Sequence, residues 1–315
     1  MLAILAYRTI QGDAMKVFSR IFILSAAMTS AAAVSAQQDF SNVQIVPHSL
    51  GDGLYFLEGQ GGNIGVSVGD DGVFLIDDQF APLTEKIIAA VASLSDQPIR
   101  FLLNTHYHGD HVGGNQNLGQ AGVVIISNEN VRTRLQAGFT NGDLQRALTS
   151  EQKAGLPVIT YADSIDLHLN GHDIHAFHVA PAHTDGDSFV VFRDANLIHT
   201  GDVFRTTGYP RADGNVNGSF HGIMAGYQIL LDISDENTRF LPGHGVVSDR
   251  NEVASQLQMF TTIRDRVKAG VDAGMTLEQI QASKPTAEYD AQWSAGVATA
   301  GDDLVAVIYG ELRSM

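Results

Sequence analysis

From residue 55 onward, the chain alternates short apolar runs with Gly and Asp turns. Residues 55–57, 63–68 and 72–77 are rich in β-branched and large apolar side chains, which predicts three successive strands. Pro82 then opens a segment in which Leu83, Ile87, Val91 and Leu94 recur at three- and four-residue steps, the period of an amphipathic helix. The runs at 99–103 and 123–126 read as buried strands, so this half is a sheet covered by helices. A second half repeats the logic, with strands at 158–160, 165–169, 174–179, 188–192 and 197–200, a helix near 223–231 and a strand at 239–241. After Asn251, the residues Val253, Leu257, Phe260, Ile263 and Val267 mark a long amphipathic helix ending at Gly270. Further helix is expected at 277–282 and 303–312, packed on the same domain rather than forming another.

The first 36 residues follow a different rule. Met15-Lys16 opens a short basic region ending at Arg20, then comes an apolar run at 21–27 and small residues up to Val34-Ser35-Ala36. That order is a secretory signal with cleavage expected after Ala36, and Met1 to Ala14 read as an upstream start. A periplasmic or secreted protein follows, with no stable membrane association once the signal is removed. The expected layout is 1–36 for start and signal, 37–250 for a catalytic domain, and 251–315 for C-terminal helices.

Composition narrows the partners. The full chain carries a formal charge of −16, and loss of residues 1–36 takes the mature protein to about −18, a surface that repels nucleic acid and anionic lipid. Nucleic acid is therefore not an expected partner; the partner expected, on the chemistry of the motifs rather than on charge, is a small-molecule substrate. Cysteine is absent, so neither disulfides nor thiolate ligands are available, and stability must come from a core drawn from 44% hydrophobic residues.

The chemistry is concentrated in His106-Tyr107-His108-Gly109-Asp110-His111, directly after the apolar run Phe101-Leu102-Leu103. Three imidazoles and a carboxylate within six residues are ligands for a borderline divalent cation, zinc ahead of iron or manganese. Gly109, Gly113 and Gly114 suit the sharp turns that let neighbouring side chains converge. Three later groups each place a His or Asp beside glycine at the end of a strand-like run: Pro181-Ala182-His183-Thr184-Asp185-Gly186, His199-Thr200-Gly201-Asp202 and Leu241-Pro242-Gly243-His244-Gly245. Together they supply seven candidate ligands, His106, His108, Asp110, His111, His183, Asp202 and His244, enough for two metals. His168, His172, His175 and His178 read as exposed sheet positions, His199 as an outer neighbour of Asp202, and His221 as a candidate for the pocket wall. The chain has no cysteine, and its Gly-x-Ser-x-Gly match, Gly65 to Gly69, falls in a predicted strand followed by another strand rather than at a strand-to-helix turn, so nothing supports a covalent nucleophile.

The order H-x-H-x-D-H, His, Gly-Asp, Gly-His-Gly resembles that of the metallo-β-lactamase superfamily, over much of the expected mature chain, from about Asp39 to about Arg250. The resemblance implies an α/β fold, a four-layer αββα sandwich of two mixed sheets flanked by helices, here with a C-terminal helical extension. It implies that His106, His108 and His183 hold one Zn²⁺, that Asp110, His111 and His244 hold a second, and that Asp202 bridges both. Asp77 resembles the superfamily's early aspartate, which supports the metal loop without binding metal. Two ions about 3.5–4 Å apart would acidify a shared water, the bridging hydroxide would attack a carbonyl, and Asp110 would orient it or relay a proton. Arg205 stands where several β-lactamases of the superfamily carry a cation for the substrate carboxylate, which makes the β-lactam amide the leading substrate class. Many of those enzymes have Cys or Ser in place of Asp202, whereas a bridging aspartate is usual in thioesterases, lactonases and phosphoesterases. Lactone, thioester or other ester hydrolysis is thus the alternative, and a catalytically inactive exported metal-binding protein the second.

Overall fold

The computed structural model describes residues 39–142, 145–179 and 181–314; the signal segment and its cleavage point lie outside them. In chain order the elements begin with β1 (Val46–Gly51), β2 (Leu54–Glu58), β3 (Ile64–Ser67), β4 (Val73–Ile76), α1 (Thr84–Ala92) and β5 (Ile99–Asn104). Next come α2 (Gly109–Val112), α3 (Asn115–Gln120), β6 (Val124–Asn128), α4 (Glu129–Thr140), α5 (Ser150–Ala154) and β7 (Ile159–Tyr161). The second half holds β8 (Ser164–Leu169), β9 (His172–His178), β10 (Ser188–Phe192), β11 (Leu197–His199), α6 (Phe220–Asp232) and β12 (Arg239–Leu241). It closes with α7 (Arg250–Asp272), α8 (Leu277–Ala282), α9 (Asp290–Trp293) and α10 (Ala300–Ser314).

Two mixed sheets result, β1-β2-β3-β4-β5-β6-β7 and β12-β11-β10-β9-β8. The first is antiparallel from β1 to β4 and parallel from β4 to β7. In the second, β11 and β12 are parallel and the remaining pairs antiparallel. Their facing sides share one apolar layer, in which Phe74, Ile76, Leu103 and Ile126 of the first sheet meet Ile174, Val190, Phe192 and Leu241 of the second. The outer side of the first sheet packs on α1 and α3 through Leu75, Ile87, Val91, Leu102 and Leu118. The outer side of the second meets α6, α7, α8 and α10 through Phe189, Tyr227, Phe260, Ile280 and Ile308. Helix, sheet, sheet, helix is the expected αββα sandwich, and the C-terminal helices share its core.

Two strand expectations are corrected. The strand near 158–160 belongs to the first sheet, where Ile126 of β6 pairs with Ile159. β1 was not anticipated, because Val-Pro-His-Ser-Leu-Gly lacks apolar alternation and proline is tolerated only at a sheet edge, which is where β1 lies. His172, expected to be exposed, is buried: its Nδ1 lies 2.7 Å from Asp194 and its Nε2 lies 3.0 Å from the Asp52 carbonyl. Among the described residues no helix is long and apolar enough to cross a membrane.

Candidate metal centre

The seven candidate ligands arrive on loops at the ends of strands. His106 and His108 follow β5, Asp110 and His111 lie on the short helix α2, His183 follows β9, Asp202 follows β11, and His244 follows β12. Backbone bonds knit these loops together: Gly62 N to Asp110 O at 3.0 Å, Asp78 N to His111 O at 2.9 Å, Ser188 N to Thr105 O at 2.9 Å and Gly243 N to Gly201 O at 2.7 Å. Asn63, just before β3, adds a clamp, donating its side-chain amide to the carbonyls of Pro242 and Gly245 at 2.9 Å each. Nothing in the sequence marked that asparagine.

Two triads emerge. The nitrogens of His106, His108 and His183 form one, the ligand atoms of Asp110, His111 and His244 the other, and within each triad these atoms lie within 4.8 Å of one another. His108 Nδ1 is 2.8 Å from His183 Nε2, and His111 Nε2 is 3.4 Å from His244 Nε2. Ligands about 2.0–2.1 Å from a tetrahedral zinc stand roughly 3.3 Å apart, so the spacing fits. Asp202 lies between the triads, with Oδ1 3.2 Å from His111 Nε2, and Oδ2 3.3 Å from His244 Nε2 and 3.6 Å from His183 Nε2.

The outer nitrogens explain why the inner ones face inward. Asp77, at the end of β4, receives His111 Nδ1–H at 2.8 Å, the Thr105 hydroxyl at 2.7 Å and the Thr105 amide at 2.8 Å. With its own proton committed to Asp77, the Thr105 oxygen accepts from His106 Nδ1 at 3.1 Å. One buried carboxylate thus orients an imidazole of each triad, as the resemblance implied. The Asp77 backbone is left-handed (φ 65°), a conformation aspartate tolerates better than most side chains. His183 Nδ1–H donates to the Arg211 carbonyl, and His108 Nε2–H donates to Asp213 at 3.0 Å. Asp213, which also takes a hydrogen bond from Tyr107 at 3.2 Å, has no counterpart in the motifs read from sequence.

His106 Nε2 and Asp202 Oδ1 are buried and lack a hydrogen-bond partner, although each points into the cluster. Burying such groups unpaired is costly, and a cation would satisfy both. Burial also lowers the pKa of His106 well below the ordinary histidine value and that of His183 to about 4, so both keep a lone pair for coordination. For Asp110, burial is outweighed by the hydrogen bond from His244 and the nearby His111, which hold it at about 2 and therefore ionised. Space is equally specific: a methyl group on Gly62 would sit 2.1 Å from His111 Cε1, and one on Gly243 2.0 Å from Asp202 Oδ1.

The chain matches the family model described as the metallo-beta-lactamase superfamily over residues 57–244. It is a member of that superfamily. It is 30% identical over 155 residues to the uncharacterized protein YobT of Bacillus subtilis (strain 168), covering 47% of this chain and 64% of YobT, so less than two thirds of that relative is spanned. Among solved structures, the fold is similar to a metallo-beta-lactamase from Pontibacter korlensis (TM-score 0.55, 16% identity, 68% of this chain and 99% of that one). It is also similar to the DIM-1 metallo-beta-lactamase (TM-score 0.57, 14% identity, 70% and 99%). A double mutant of the sec-alkyl sulfatase PisA1 overlaps more of this chain (TM-score 0.64, 16% identity, 85% of this chain and 50% of that one).

Above the ligands opens a cleft of about 590 Å³ lined by Phe80, Asp110, Asp202, Arg205, Arg211, Asp213 and His244, among others. Arg205 stands on its wall, steadied by a 2.8 Å bond from Nε to the Thr207 carbonyl. His221 does not line it. That side chain sits at the start of α6 with Nδ1 2.6 Å from Glu311 on α10, whose carboxylate also accepts the Phe220 and His221 amides at the helix N-terminus. His199 is fully buried and accepts the Gly201 amide at 3.2 Å, beside Asp202 as expected.

Proposed function

We propose that the protein is an exported dinuclear zinc hydrolase that opens a carbonyl bond in an anionic small molecule, with the β-lactam amide as the leading substrate. The observation that carries this reading is that four imidazoles, His106, His108, His111 and His183, each have the outer nitrogen held by the protein and the inner one turned into the cluster of candidate ligands. Superfamily membership supports the same reading.

Zinc in such a site supplies Lewis acidity, acidifying water toward neutrality and polarising a carbonyl. The rest falls to the chain. His106, His108 and His183 would hold one ion, Asp110, His111 and His244 the other, with Asp202 shared. Asp110 is ionised and partly exposed to the cleft, so its carboxylate can take a proton at Oδ2 and pass it to the leaving group. Arg205 offers a guanidinium for a substrate carboxylate. Phe80, which also lines the cleft, would limit water around a bound substrate.

Asp202 gives the second reading its footing. A carboxylate within 3.6 Å of histidines from both triads suits the bridging role tied to lactone, thioester or other ester hydrolysis. Zinc-loaded protein assayed with a chromogenic cephalosporin, a lactone, a thioester, a carboxylic ester and a secondary alkyl sulfate separates these outcomes. Turnover of the cephalosporin is the expected result, and turnover of the esters alone would move the assignment to the second reading. Metal binding without turnover of any of them would leave a metal-binding protein. Arg205→Ala should raise KM for carboxylate-bearing β-lactams and spare neutral lactones. A charge-assisted contact contributes about 1.5–3 kcal/mol, so kcat/KM should fall roughly ten- to a hundredfold. Equal small effects on both substrate types would place Arg205 outside the binding site.

A further inference from the structure

Beside the metal cleft lies a second cavity of about 310 Å³, enclosed between the 205–212 loop and the C-terminal helices α9 and α10. The two hollows share Arg205, Arg211 and Ala212 in their linings, so they are adjacent and two cations line both. Beyond these the lining turns apolar: Tyr209, Pro210, Trp293, Val297, Leu304 and Val307. Its one carboxylate, Asp303, is engaged by the Thr299 hydroxyl at 2.9 Å. Val297 and Val307 are 52% and 37% exposed, among the few large apolar side chains of the described surface left open to water. Exposed apolar groups gathered around a concavity mark a binding site more often than scattered ones do. The cavity is also built in advance. Tyr209 N donates to the Trp293 carbonyl at 2.9 Å and Tyr209 Oη to Asp290 at 2.8 Å, pinning the loop to α9.

We infer that this cavity takes the hydrocarbon arm of an anionic amphiphile whose charged group lies against Arg205 and Arg211. The hydrolase reading is needed only to call that ligand a substrate. A lining that combines two guanidiniums with a run of apolar side chains complements such a molecule, because a polar arm would lose its water with few partners to gain. The C-terminal helices thereby contribute to specificity while the ligand loops lie elsewhere.

Trp293 lines the cavity and is the only tryptophan of the chain, so its emission reports occupancy directly. Zinc-loaded protein would be titrated with straight-chain carboxylates from acetate to octanoate, and with octanol. The expected result is a saturable change in Trp293 emission whose affinity rises up to about fourfold per added methylene. Octanol should bind at least tenfold more weakly than octanoate, a difference that Arg211→Ala reduces. Val307→Asp and Val297→Asp, both at exposed positions, should each weaken octanoate at least tenfold with unchanged circular dichroism. An affinity independent of chain length, or emission that never responds, would overturn the inference. The readout separates it from the functional reading: loss of all turnover with the emission response intact defeats the hydrolase alone. Turnover blind to chain length, with silent emission, defeats the cavity assignment alone.

Discussion

Asp77 and Asp213 show how much of this site rests on carboxylates that need not touch a metal. Asp77 reaches both triads, His111 directly and His106 through the Thr105 hydroxyl, whereas Asp213 reaches only His108. Burial alone would raise the pKa of Asp213, but hydrogen bonds from His108, the Asn215 amide and Tyr107 hold it below the usual carboxylate value. Burial and that same charge push the Tyr107 phenol up to about 12, so it stays a donor. The asymmetry makes a prediction at the residue scale. Removal of such an outer partner costs roughly 10–100-fold in metal affinity. Asp77→Asn should therefore weaken zinc binding at both triads, and Asp213→Asn only at that of His106, His108 and His183. Competition against a chromophoric chelator, read as two binding steps, checks this; equal losses at both steps for Asp213→Asn would contradict the geometry.

Among the elements, β9 is held by more than its ladder. His172 at its start and Asp194 in the β10–β11 turn are paired at 2.7 Å, and Asp194 Oδ1 accepts the Asp173 amide at 2.9 Å. Burial opposes ionisation of Asp194, yet the bonds from His172 and the Asp173 amide keep its pKa below the ordinary 3.8. A depressed carboxylate stabilises the fold above its unfolded value, and that stability is lost as pH falls through the folded value. Asp194→Asn should accordingly lower the urea midpoint near pH 6, with the gap from wild type closing below about pH 3.8. Because the Asp194 side chain is 44% exposed, solvent screening limits the effect to about 1 kcal/mol or less. A gap that widens on acidification would rule out this role.

At the scale of the whole molecule, two sheets share one apolar layer and the ligand loops gather from both. A cation held by loops from both sheets should act as a clamp on the folded state, which matters in a chain with no cysteine for crosslinks. Binding to the native state alone stabilises by about 4 kcal/mol at a thousandfold excess over Kd. Zinc should raise Tm by several degrees, with close to two ions bound per chain by elemental analysis, and a chelator should reverse the shift. One ion per chain at saturation would defeat the dinuclear arrangement, and an unmoved Tm would show that the loops are held without it.

The sequence by itself determined the candidate ligands that the fold brings together and, through the family resemblance, the sandwich. His106, His108, Asp110 and His111 are legible because the chemistry needs them within six residues, and glycine marks the turns around them. The strands of the buried layer are legible because their apolar runs are short and bounded by turn residues. What remained hidden depends on partners distant in the chain. The polar segment of α4 buries only Val131 and Thr140 on its described face, too little to impose a helical period on the sequence. β7 carries no mark of which sheet it will join, since pairing with β6 is settled only when Ile126 and Ile159 meet. Asp213 looks like any aspartate before Gly214 until the fold sets it beneath His108, and His221 looks like a pocket residue until Glu311, 90 residues later, claims it. Local chemistry and periodicity are written along the chain, whereas the partner that orients an imidazole is chosen by the packing of elements around it.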